Sequence, residues 1–230
     1  MFKATANGYA AYRNMRLKES GSALCAACGR RALLLVLFSA GTLAAQEVWS
    51  WHSVDFALWK AHGVEWGLHT RLRTRQGELQ QGRSGTILKF SPNARMALIG
   101  GYYYGREEDT REEWQNSHRV FAGVEAPVYR RGAVAVVSRG LVERFVTASR
   151  PSFNRFRHRV RLTTSYRVGP YTSGEWFWDA KGYLAARYQG GVRWRGSRWA
   201  TVECGYMYDA RSPHLGPPRH GVVTQLLLER

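Results

Sequence analysis

Cysteine is almost missing from this chain: Cys25, Cys28 and Cys204 are all that its 230 residues contain. Three cysteines exclude a disulfide scaffold. No apolar run reaches the roughly 18 residues of a spanning helix, so the chain does not cross a bilayer as helices. Acidic residues are scarce, 17 against 34 lysines and arginines, which leaves a net charge of +17. That balance favours anionic partners such as nucleic acid, lipid head groups or small anions. Local catalytic signatures are missing as well: there is no HExxH, no paired Cys/His spacing, no GxSxG elbow and no P-loop. No catalytic residue, metal centre or cofactor is assigned. Apolar residues are not in short supply, at 44% with 13% aromatic, and this excludes wholesale disorder.

The first 45 residues differ in kind from the rest. Residues 32–45 read ALLLVLFSAGTLAA, follow Arg30 and Arg31, and end in small side chains. A positive segment, a short apolar core and a small-residue cleavage site make a secretory signal peptide, with cleavage after Ala45. The positive segment is long, and Met15 is an alternative start. Cys25 and Cys28 have CxxC spacing but precede the apolar core; half a zinc site at best, they are read as incidental. Removing residues 1–45 takes away six basic residues and one acid, leaving a net charge of +12 and only Cys204. Export makes nucleic acid the weaker partner, and none is expected.

From residue 46 onward a two-residue period dominates. Val64, Trp66, Leu68, Thr70 and Leu72 alternate with Glu65, Gly67, His69, Arg71 and Arg73. Phe156, His158, Val160 and Leu162 alternate with Arg155, Arg157, Arg159 and Arg161. Tyr188, Val192 and Trp194 oppose Arg187, Gln189 and Arg193, and Val202, Cys204, Tyr206 and Tyr208 oppose Glu203, Gly205 and Asp209. Successive strand side chains point to opposite faces, so each strand has one apolar and one charged face. Eleven candidate strands follow, near 48–58, 63–75, 83–91, 94–106, 115–126, 133–147, 153–168, 171–179, 184–195, 198–210 and 219–229. Most exceed the roughly 5–6 residues of soluble strands and suit the roughly 9–11 that cross a bilayer. Short turns at 91–93, 129–132, 168–170 and 195–197 alternate with longer polar connections at 106–115, 148–152 and 209–220. Aromatic residues recur near strand ends: Trp49, Trp51, Trp59, Tyr102, Tyr104, Tyr166, Trp176, Trp178, Trp194, Trp199 and Tyr208. Such residues favour a membrane interface. The expected fold is all-β, an antiparallel transmembrane β-barrel over 46–230. Because single-chain barrels of this kind have an even strand number, eleven candidates imply that ten or twelve strands form the wall.

The charged faces should meet inside as a belt of Glu143, Arg155, Arg157, Arg159, Arg161, Glu175, Arg187, Arg193 and Glu203. Hairpin folding is expected to set Glu143 beside Arg157 and Arg159, Glu175 diagonally near Arg161, and Glu203 near Arg187 and Arg193. The alternation breaks at 138–140, where a bulge is expected. Ser212, His214, His220 and Asp209 share the last long connection and have the composition of a Ser/His/Asp triad. The 106–113 segment holds Glu107, Glu108, Asp109, Glu112 and Glu113, a possible divalent-cation site at lipopolysaccharide phosphates as against a solvated loop.

The chain resembles a family of small Gram-negative outer-membrane β-barrels known as domain of unknown function 2490. Trp49, the run Glu65-Trp-Gly-Leu-His-Thr-Arg-Leu-Arg, and Gly100-Gly-Tyr-Tyr-Tyr with Glu113-Trp114-Gln115 carry the resemblance. Arg155-Phe-Arg-His-Arg-Val-Arg and Glu175-Trp176-Phe177 extend it over most of residues 47–228. It implies fold and an outer-membrane location. Outer-membrane lipid, lipopolysaccharide and the barrel assembly machinery are the expected partners. It implies no activity. The expected function is a structural envelope protein, or a narrow anion-favouring conduit with a charged, largely plugged lumen. A lipid-modifying barrel hydrolase and a secreted soluble β-barrel for an acidic ligand are the alternatives.

Overall fold

Alternation becomes a closed wall. The computed structural model describes residues 48–108, 113–148 and 151–229, within the unit Gln46–Arg230. The expected leader, the CxxC pair, part of the acidic segment and part of the 148–152 connection lie outside the described residues. The strands are β1 (Val48–Ala61), β2 (Val64–Arg75), β3 (Glu78–Asn93), β4 (Met96–Glu108), β5 (Trp114–Arg131), β6 (Val134–Thr147), β7 (Phe153–Thr164), β8 (Val168–Asp179), β9 (Gly182–Arg195), β10 (Ala200–Arg211) and β11 (Arg219–Leu228). Among the described residues the only helical element is one 3₁₀ turn, Pro213–Leu215.

Each strand pairs antiparallel with the next, and β1 pairs with β11 to close the barrel. The count is eleven, which corrects the expectation of ten or twelve. The parity rule assumes that the first and last strands meet antiparallel. An odd meander leaves them running the same way, and here they pair parallel, from Val48↔His220 to Phe56↔Leu228. Parallel pairing is slightly weaker per residue, and side chains lace this seam on both faces. Outside, His52 Nδ1 meets Thr224 Oγ1 at 2.6 Å and Ser50 meets Thr74 at 2.5 Å. Inside, Gln225 donates to Asp55, and Asp55 bonds His69 Nδ1 at 2.6 Å. These contacts tie β11, β1 and β2 together.

Several strands run past the expected turns. β3 reaches Asn93, β5 reaches Arg131 and β8 begins at Val168, so the connections are 94–95, 132–133 and 165–167. Proline caused two of these shortfalls. Pro92 and Pro127 sit where the register slips, between Phe90 and Asn93 and between Pro127 and Tyr129. A bulge tolerates a residue with no N–H to donate. The register runs unbroken through 138–140, so the expected bulge is absent there.

The turns at 62–63, 94–95, 132–133, 165–167 and 196–199 form one end of the barrel, here the near end. Those at 76–77, 180–181 and 212–218, with the strand ends at Glu108, Trp114, Thr147 and Phe153, form the far end, where β1 starts. Two far-end connections are two-residue turns, so the loop asymmetry is weaker than expected. The turn at 76–77 is tight because both residues have positive φ, 52° at Gln76 and 89° at Gly77. That geometry matches the twist of the flanking strands.

Candidate functional site: a charged lumen

The inner face of each strand holds what water would normally hold. Glu143 and Glu203 are fully buried, and Arg119, Arg157, Glu175 and Asp209 are at most 8% exposed. Their outward neighbours Val120 and Val142 are each 57% exposed. All nine belt residues named above point inward, because each shares its strand's inward parity.

Carboxylates act as nodes among the guanidiniums. Glu143 accepts from Arg155 at 2.6–2.7 Å, lies 3.5 Å from Arg157, and lies 3.6 Å from Arg119. Glu175 accepts from Arg157, and from Arg187 at 3.4 Å. Arg187 also pairs with Asp209 at 3.3 Å. The result is one chain, Arg119–Glu143–Arg157–Glu175–Arg187–Asp209, spanning β5 to β10. Separately, Glu203 accepts from Arg161 across the bore and lies 3.5 Å from Arg193. Lys89 and Glu125 form a third pair at 2.6 Å.

The expected partners are corrected in several places. Glu143 stands opposite Arg155 and reaches Arg155 and Arg157, not Arg159. Glu175 stands opposite Arg159, yet its carboxylate turns to Arg157 and Arg187, not toward Arg161. Glu203 stands opposite Arg193 as expected, and its other partner is Arg161, not Arg187. The cause lies in the turns. The hairpins pivot one or two residues from the expected centres, and each such slip changes the cross-strand partner.

The belt as read from the sequence leaves out Arg119 and Arg139, and also Asp209, although the alternation sets Asp209 on the charged face of its strand. Arg119 had a legible signal, since it alternates with the outward Val120. Arg139 lies within the 138–140 break in hydrophobicity and had none.

The far end of the bore is filled by aromatic rings and arginines. Trp49 and Trp51 are 4% and 5% exposed and pack with Met207 and Val223. Arg219 lies 4.2 Å over Trp49, Arg187 4.1 Å over Trp51, and Arg155 4.6 Å over Phe145. These are cation–π distances. The expectation that Trp49 and Trp51 sit at an outer interface is therefore corrected. Both share the inward parity of Asp55, a signal present in the sequence.

Mid-wall, large rings stand opposite glycines. Phe121 faces Gly101 and Tyr103 faces Gly85, where an added Cβ would lie 2.5 Å and 2.6 Å from the rings. The rings can thus lie flat against the wall, stacked 5.1 Å apart. A cavity of about 480 Å³ remains between mid-barrel and the near end, and ten cationic side chains and six carboxylates line it.

The last long connection assembles no triad. Ser212 and His214 meet at 2.9 Å, but Asp209 faces inward to Arg187 and His220 faces outward to Tyr206. In the acidic segment, Glu107 accepts from Gln81 at 2.7 Å, while residues 109–112 lie outside the described residues. No group of three or more metal-ligating side chains occurs among the described residues. Cys204 is free and exposed on β10.

A family model described as a protein of unknown function (DUF2490) matches residues 46–214, more than half of the chain. The match takes in β1 to β10 and stops before β11. No curated protein and no solved structure matches the chain.

Proposed function

The chain belongs to the DUF2490 family of proteins of unknown function, and from that premise we propose that it is an outer-membrane β-barrel. In this reading it is a structural envelope protein whose charged, largely filled lumen leaves a narrow, anion-favouring conduit. The observation that carries the reading is the inverted partition of the wall. Among the described residues, thirty large apolar or aromatic side chains are exposed, while two glutamates are fully buried. Exposed apolar surface costs about 25 cal/mol per Å² in water, whereas a bilayer stabilises apolar-out, polar-in strands.

Position along the strands supports the same reading. Val54, Leu68, Val120 and Val142 occupy the middle of the outer face. Trp59, Trp66, Tyr129, Trp194 and Trp199 ring the near end, and Tyr104, Trp114 and Tyr183 ring the far end. Two aromatic girdles around an apolar band suit the two interfaces of a membrane. The reading includes export on a leader cleaved after Ala45, insertion by the barrel assembly machinery, and a surround of outer-membrane lipid and lipopolysaccharide. The geometry of Ser212, His214 and Asp209 lends no support to a hydrolase, and the apolar wall weighs against a secreted soluble barrel.

Membrane fractionation and planar-bilayer recording test the proposal. The protein should partition with the outer membrane and carry a small current whose reversal potential in a salt gradient has the anion sign. Recovery as a soluble periplasmic protein, or a cation-selective current, would overturn it.

A further inference from the structure

We propose that the lumen holds a binding site for a phosphate-type oxyanion, free phosphate or a phosphomonoester, formed by Arg71 and Arg83 on one wall and Arg139 and Arg159 on another. The inference deepens the anion-favouring lumen proposed above and rests on that reading of its charge. Arg71 stands directly opposite Arg83 between β2 and β3, and Arg139 directly opposite Arg159 between β6 and β7. Like charges directly opposite on one face destabilise a sheet, and this wall carries two such pairs. None of the four makes an ion pair among the described residues, whereas the six other cationic side chains that line the cavity each pair with a carboxylate. Among the described residues the Nε–H groups of Arg83 and Arg139 are buried without a hydrogen-bond partner, as are those of the ion-paired Arg119, Arg187 and Arg193.

The two pairs face one space. All four side chains line the 480 Å³ cavity. Arg157 lines the same cavity. Arg157 itself is held by Glu143 and Glu175, which leaves the other four as the surplus charge of the cavity lining.

Arginine selects the chemistry. Its planar guanidinium fork matches phosphate oxygens two at a time and carries its charge at any working pH. Four forks around one region offer more donors than a halide or a single carboxylate can accept, and a tetrahedral oxyanion can accept them. The cavity exceeds the size of bare phosphate and falls within the roughly 300–1,000 Å³ of small-molecule sites, so an organic ester group has room. Tyr103, beneath Arg83 at 5.0 Å, supplies a flat surface beside the arginines.

The test uses the full chain purified as a folded barrel in detergent. Inorganic phosphate and glycerol phosphate are the probes, chloride at matched ionic strength is the control, and binding is read by calorimetry and by the thermal transition. Wild-type protein should bind phosphate saturably and melt at higher temperature in its presence. Arg139→Gln with Arg159→Gln should weaken binding at least about tenfold, the loss expected for removing charged hydrogen-bond donors. In phosphate-free buffer the same variant should melt at or above the wild-type temperature, because the like-charge contact is gone. Arg71→Gln with Arg83→Gln provides an independent variant should the first fail to fold. Tighter binding of glycerol phosphate than of phosphate assigns the site to an ester; equal or weaker binding assigns it to free phosphate. No saturable response in the wild type, or an equal response in wild type and variants, overturns the proposal. A barrel that fractionates with the outer membrane and conducts anions but ignores phosphate loses this inference alone.

Discussion

Glu143 shows what a single residue does in this wall. It is fully buried, and three guanidiniums lie within 3.6 Å of its carboxylate. Removing one member of a buried ionic cluster leaves uncompensated charge and costs about 3–5 kcal/mol. Glu143→Ala and Glu203→Ala should each destabilise the barrel by that order in equilibrium denaturant unfolding. Glu65→Ala is the control: Glu65 and its partner Lys60 are 38% and 72% exposed, and such pairs contribute about 0–1 kcal/mol. Equal losses at Glu143 and Glu65 would contradict the distinction between a buried ionic node and an exposed pair at the rim of the bore. The outer face has its own test. Val160→Arg or Val202→Arg should cost about 2–4 kcal/mol in a lipid-inserted barrel. Gln189→Arg, on the inner face beside Tyr171, should be milder. Comparable losses at Val160 and Gln189 would mean that the faces are reversed.

At the scale of elements, the parallel seam sets this barrel apart from an even-numbered meander. Register places Ser50 of β1 beside Val222 of β11, both on the outer face. With native Cys204 replaced by Ser, a Ser50→Cys and Val222→Cys pair should form an intramolecular disulfide under mild oxidation. Adjacent paired strands bring Cα atoms within the roughly 4.4–6.8 Å that a disulfide needs. Failure of this pair to cross-link, with cross-linking of Ser50→Cys to a residue near 228, would favour antiparallel closure instead. The inner Asp55–His69–Gln225 contacts hold the same seam. Asp55→Ala should lower the unfolding midpoint by the equivalent of about 1–3 kcal/mol, the cost of leaving buried polar partners unsatisfied. An unchanged midpoint would show that water replaces the carboxylate there.

For the whole molecule, closure means that every strand edge is paired, which is what permits a polar backbone to sit in hydrocarbon. A closed hydrogen-bonded wall of eleven strands also resists opening. The protein should therefore migrate differently in detergent gels before and after boiling, and identical migration would count against a closed barrel. Its mature form should begin at or near Gln46, as read by N-terminal sequencing of protein from envelope fractions. A mature chain that retains residues 1–45 would contradict the proposed export.

The strands and their faces follow from local pattern alone. A side-chain period of two is imprinted residue by residue, so the charged face of Arg155, Arg157, Arg159 and Arg161 and the apolar face of Val160 and Leu162 were legible without coordinates. The number of strands was legible too, and the error came from adding a rule about how such chains close. Closure is not a local property. It depends on whether Val48–Phe56 and His220–Leu228, 172 residues apart in register, meet parallel or antiparallel. Partner identity was also beyond reach. Each turn fixes a register by its own φ and ψ, and a slip of one or two residues moved Arg159 from an expected carboxylate to a position opposite Arg139. Only the tertiary structure could bring Arg71–Arg83 and Arg139–Arg159 around one cavity, because no pattern along the chain records which strands face each other across a bore.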